Sequence, residues 1–60
     1  MKQGDLIEFV YPHKVPYAQN GDIGIMLLEH GRNSGSGIRI DVLTNGEIRN
    51  HFSYLWEVII

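Results

Sequence analysis

The sequence predicts an all-β domain of five short strands, and three observations carry that prediction. Seven glycines and two prolines are spaced so that no stretch of about eleven residues keeps an uninterrupted 3.6-residue apolar period. Between these breakers lie short runs rich in β-branched and aromatic residues. Clusters of turn formers separate the runs, as in barrels and sandwiches.

The first strand is "LIEFV", Leu6 to Val10, entered through Gly4-Asp5. A long connection, "YPHKVPYAQNGD", follows. Each proline biases the residue before it, Tyr11 and Val15, toward extended geometry, so the loop is stiffened. The second strand is "IGIMLLE", Ile23 to Glu29. It is apolar on both faces, which suits a central, bent strand, and Gly24 permits a close backbone approach or a bend. "HGRNSGSG" is a flexible loop, and the third strand is Ile38 to Leu43. After the "TNG" turn comes the fourth strand, "EIRNHF". "SYL" is a tight turn, and "WEVI" closes the chain.

The "TNG" turn decides which side chains share a face. A two-residue Asn45-Gly46 hairpin pairs Leu43 with Ile48 and Val42 with Arg49, and sets Ile40 beside His51. A three-residue loop with Gly46 in a left-handed bulge shifts the register by one. Val42 then faces Ile48, Ile40 faces Asn50 and Ile38 faces Phe52, while Asp41 meets Arg49 and Arg39 meets His51. A one-residue slip flips every side chain, so the cleaner apolar face of the bulged turn is the expected register.

A long first loop, a flexible second loop, a tight third hairpin and a one-turn link to a short last strand give the element order of a five-stranded SH3-like small barrel. Closure lets few residues enclose a core. The expected core is Leu6 or Ile7, Phe9, Ile23, Ile25, Leu27, Ile38, Ile40, Val42, Ile48, Phe52, Trp56 and Val58.

"KQGDLIEF" at the start, "IGIMLLE" in the second strand, and "NGEIRNH" followed closely by "LWEVI" cover most of the chain. In order and spacing they resemble a family of very small phage-encoded SH3-like proteins. Such relatives often carry tryptophan where this chain has Leu43, and leucine where it has Trp56. The resemblance implies the barrel fold and a viral origin, and with it a place in the host cytoplasm or the virion. It implies no mechanism.

Sixty residues make one domain, residues 1–60, near the lower limit for a single core. The absence of cysteine excludes disulfides and thiolate metal sites. No apolar run approaches the ~20 residues of a membrane span, and no signal-peptide hydrophobic region stands at the N-terminus, so no membrane role is expected. A formal charge of −2 argues against a general duplex-DNA binder.

The three histidines lack HxH or HExxH spacing and are expected at the surface, so neither a metal nor another cofactor is expected. No nucleophile–base–orienter set is apparent, and Ser34, Ser36 and Ser53 read as loop residues; the chain is not expected to be an enzyme. The "GRNSGSG" loop lacks phosphate-loop spacing and a following helix. Arg39, Asp41, Glu47, Arg49 and His51 are expected on the solvated outer face of the third and fourth strands.

The aromatics remain. Tyr11 and Tyr17 flank the first loop, and Tyr54 sits in the link before the last strand. In SH3-like barrels these segments lie side by side, so the three tyrosines form a candidate groove for a phage or host protein. The tryptophan that SH3 domains use for polyproline is absent, since Ile38 follows Gly35-Ser36-Gly37. A second candidate function is a small nucleic-acid-binding module of the KOW or Tudor kind. Stacking aromatics and Lys14, Arg32, Arg39 and Arg49 would serve it. A third is a structural subunit that self-associates through "LWEVII".

Overall fold

In the first strand, β1 (Leu6–Phe9), alternation sends Ile7 and Phe9 to one side, where both are fully buried. The computed structural model describes residues 1–30 and 38–59. The other strands are β2 (Ile23–Glu29), β3 (Arg39–Thr44), β4 (Glu47–Phe52) and β5 (Trp56–Val58). A single 3-10 turn, Ser53–Leu55, links the last two. All pairings are antiparallel, in the order β4-β3-β2-β1-β5, so β4 and β5 are the edges of one five-stranded sheet. Among the described residues no helix is long and apolar enough to cross a membrane. The glycine-rich segment at 31–37, with Arg32, lies outside the described residues, as does Ile60.

The β3–β4 hairpin corrects the expected register. Thr44 pairs with Glu47, Leu43 with Ile48, Val42 with Arg49 and Ile40 with His51. The loop is therefore the two-residue Asn45-Gly46 turn. Both residues have positive φ, 53° and 77°, the conformation that matches the right-handed twist of the flanking strands. Asn and Gly adopt it with little strain, and Thr44 adds an anchor by donating its Oγ1 hydrogen to Ile23 O at 2.8 Å. Local turn geometry outweighs the cleaner apolar face of the three-residue alternative.

Two further expectations change with it. Glu47, Arg49 and His51 share a face with the core residues, not with Arg39 and Asp41. His51 is 2% exposed and so is not a surface histidine. In β2 the inward residues are Gly24 and Met26, while Ile23 and Ile25 stand exposed. A Cβ on Gly24 would lie 2.7 Å from Val42 Cγ1, so β3 leaves no room for a side chain at this position. A bulge between Met26 and Leu28 then shifts the register and bends the strand.

The core is Ile7, Phe9, Ala18, Met26, Ile40, Val42, Leu55 and Trp56, flanked by the partly buried Tyr11, Val15, Tyr17, Ile38 and Phe52. Ile23, Ile25, Ile48 and Val58 were expected here and are exposed instead; Leu27 is only partly buried.

Candidate functional site

The loop after β1 is built as a braced arch. Phe9 N–H donates to Asp22 O and Gly21 N–H to Phe9 O, both at 2.8 Å, closing its base. Val15 and Ala18 form an isolated bridge across its tip, and Ala18 is buried. Asp22 locks one arm: its Oδ2 accepts from Gln19 N–H and from Asn45 Nδ2, both at 2.9 Å. The Gln19 bond first, and then the Asn45 bond, hold the Asp22 carboxyl below its ordinary range. With two prolines fixing φ, the arch is pre-shaped without a ligand.

The arch encloses an open concavity of about 670 Å³. Tyr11 and Tyr17 both line it, along with His13 and Lys14 from the tip and Asp22 and Asn45 from the facing turns. Each tyrosine ring is backed by the core. Tyr11 meets Phe9 edge-on at 6.3 Å between centroids, and Tyr17 meets His51 edge-on at 5.0 Å. His13 packs against Tyr11 at 5.2 Å. The tyrosines are half-buried, so their rings are held while part of each surface stays accessible.

Beneath Tyr17 lies a cluster of Phe9, His51 and Trp56, with T-shaped contacts of 5.1 to 6.3 Å between ring centroids. Burial first, and the Arg49 charge second, push the His51 imidazole below its ordinary value, favouring the neutral ring. The ring nitrogens of His51 and the Trp56 Nε1 hydrogen have no hydrogen-bond partner among the described residues.

Tyr54 is placed elsewhere. The first loop and the 3-10 turn do run side by side, joined by Val10 N–H donating to Leu55 O at 2.8 Å. The Tyr54 ring, however, stacks on Phe52 at 5.3 Å and 23°, is 66% exposed, and does not line the concavity. On the same Phe52, the Arg39 guanidinium sits 4.2 Å from the ring centroid and donates to Asn50 Oδ1 at 2.9 Å. The structure therefore brings Tyr11 and Tyr17 together and gives Tyr54 to a separate stack.

The candidate basic residues are similarly divided. Lys14 is exposed on the arch, and Arg39 belongs to the outer face. Arg49 shares the inner parity and pairs with Glu47 at 2.9 Å. His30 meets Asp41 at 3.0 Å, which holds that carboxyl low.

Sequence reasoning missed Asp22 and Asn45 as parts of the site. They lie 23 residues apart, and only the hairpin register brings the Asn-Gly turn over the arch. Comparison with protein-family models, with curated proteins and with solved structures finds no match to this chain.

Proposed function

We propose that the protein is a non-enzymatic interaction module that holds a short extended segment of a partner protein in the arch of residues 11–20. One observation carries this reading: two tyrosine rings, each braced from behind by a core aromatic, line one pre-formed concavity. Tyrosines supply large contact area with few rotatable bonds, and a pre-shaped loop spares the ordering cost of binding. The concavity falls within the size range of small-ligand pockets but is open, which suits two or three side chains of a peptide. Its rim offers both signs of charge, Lys14 and Asp22, so backbone polar groups of an extended peptide can be met there.

The strand order, the arch after β1 and the 3-10 turn before β5 support an SH3-like barrel as the finer description of the fold. With the sequence resemblance, this favours a phage protein acting in the host cytoplasm or the virion, on a phage or host partner. The test is selection from a displayed random-peptide library on the folded chain. An enriched peptide whose affinity falls at least tenfold in Tyr11→Ala, and stays unchanged in Tyr54→Ala, supports the arch. Enrichment that ignores Tyr11 overturns it.

A second reading, single-stranded nucleic-acid binding, draws on the Arg39–Phe52–Tyr54 stack, where an exposed ring beside a guanidinium can receive a base. Affinity for an oligonucleotide that falls steeply with salt and with Tyr54→Ala would favour it over the arch.

A further inference from the structure

Thr44 and His51 are the buried polar residues among those described, and only His51 can take up a charge near neutral pH. Thr44 is bonded to Ile23 O, whereas neither ring nitrogen of His51 has a partner among the described residues. The ring's neighbours come from four other elements. Tyr17 of the arch meets it edge-on at 5.0 Å between centroids, Trp56 of β5 at 5.3 Å and Phe9 of β1 at 6.3 Å. Ile40 of β3 is its ladder partner. On its own strand the charge that acts on it is Arg49, which pairs with Glu47 at 2.9 Å. Protonation turns the ring's one acceptor into a second donor, so the cation needs two acceptors and a counter-charge. These surroundings offer neither: among the described residues no carboxylate pairs with the ring. Aromatic faces attract a cation, but less strongly than the water it gives up.

We propose that His51 is a pH-sensitive latch for the arch: the neutral ring seats Tyr17, and protonation releases Tyr17 and opens the arch tip. A charged His51 must reach water, and its neighbours differ in what it costs to move them. Phe9, Ile40 and Trp56 sit on strands and are fixed by the ladders of the sheet. Tyr17 sits on a loop, between the bridged residues Val15 and Ala18, and is only half-buried. Lifting it breaks that bridge and uncovers the small side chain of Ala18. The base of the arch is held separately. There Phe9 and Asp22, and Gly21 and Phe9, share backbone bonds, and the Asp22 carboxylate grips Gln19 and Asn45. The tip can therefore open while the base and the sheet stay closed, the behaviour of a local, low-stability unit.

The direction follows from which state binds the proton. The closed arch disfavours the cation, through burial first and Arg49 second, so His51 in the folded chain titrates below 6.5. Above that value the arch is closed. As pH falls through the depressed midpoint, the open form takes over. One pH unit below the midpoint, about ten open arches stand for each closed one, and a ligand that needs Tyr17 in place binds about tenfold more weakly. That consequence rests on the arch as the binding site; the opening itself does not. His13 is also part of the arch, but it packs against Tyr11 and not against His51.

An NMR titration of the full chain from about pH 8 to pH 5, with no ligand present, tests it. The Tyr17 ring signals and the amides of residues 15–18 should shift with the same midpoint as the His51 ring, below 6.5. The amides of β1 and β3 should keep their native positions. His13→Gln should leave the transition in place, and His51→Phe should abolish it. If His51→Phe fails to fold, the coincidence of midpoints in the His13→Gln chain decides alone. Arch signals that stay fixed while His51 titrates, or that follow another midpoint, overturn the proposal. A His51 ring still neutral at the acid end overturns it too, as does joint loss of arch and strand signals, which is global unfolding. A peptide selected on the arch then separates this device from the binding reading. Binding about tenfold weaker one pH unit below the midpoint supports the latch. An arch that opens while the peptide binds equally well supports the latch and removes the arch as the peptide's site.

Discussion

On the inner face of the sheet, Phe9, Ile40 and Trp56 enclose a histidine, and the middle strand contributes a glycine. On the outer face Ile23, Ile25, Leu43 and Ile48 stand exposed, side by side. By hydrophobicity alone these assignments would be exchanged. Space and register decide otherwise: the Asn-Gly turn sends His51 inward with Ile40, and the approach of Val42 leaves Gly24 no room for a side chain. A small inner volume selects residues that fit it. The outer face is free to carry β-branched residues that favour the strand itself.

The largest effects should therefore fall on the inner face. Phe9 is fully buried and meets Tyr11, His51 and Trp56, so it joins the arch to the core. Phe9→Ala should cost about 3–5 kcal/mol in chemical denaturation, enough to unfold a domain of this size. Gly24→Ala comes next, at about 1–3 kcal/mol. Its Cβ would meet Val42 Cγ1 at 2.7 Å, Leu43 O at 3.1 Å and Thr44 Cβ at 3.2 Å, and the carbonyl cannot move without the ladder. A neutral result for Gly24→Ala would break the claim that space governs this face.

Strand order in the sequence was legible because breakers and β-branched runs report directly on local geometry. β2 and β4 were expected with the boundaries they have, and "SYL" is the single turn it was expected to be. Inside and outside were not legible, for two particular reasons. Ile23, Ile25, Met26, Leu27 and Leu28 are all apolar, so β2 has no alternation to read. In the β3–β4 hairpin, the sequence offers a cleaner apolar face in the other register than in the one that buries His51. That ring is accommodated by four aromatic and aliphatic neighbours on other elements, which no local pattern announces. The arch was visible as a stiff loop with two tyrosines; its closure by Asp22 and Asn45 was not.

His51 gives the next prediction. Its folded-state ring titrates below the ordinary 6.5, because burial and then Arg49 disfavour the cation. The unfolded chain therefore binds the proton first as pH falls. The stability contributed by the neutral ring is full above pH 6.5 and is lost as pH drops from 6.5 toward the depressed value. Denaturation midpoints measured from pH 8 to pH 5 should fall, and His51→Phe should flatten that slope. At neutral pH the same substitution should stabilise by about 1 kcal/mol, since it removes two buried nitrogens without partners among the described residues. A slope unchanged in His51→Phe would assign the pH dependence to other groups, and the histidine would lose its place in the comparison.

The smallest expected effect belongs to the outer face, and it sharpens the contrast most. Ile48 is 63% exposed on edge strand β4, and threonine keeps the β-branch that the strand favours. Ile48→Thr should change the unfolding free energy by no more than about 0.5 kcal/mol in chemical denaturation. A cost several times larger would mean that Ile48 makes contacts that its 63% exposure does not reveal, and the contrast between a crowded inner face and a permissive outer one would break. A small cost beside a large one for Gly24→Ala is the result that the contrast requires: space governs the inner face, and strand propensity alone the outer.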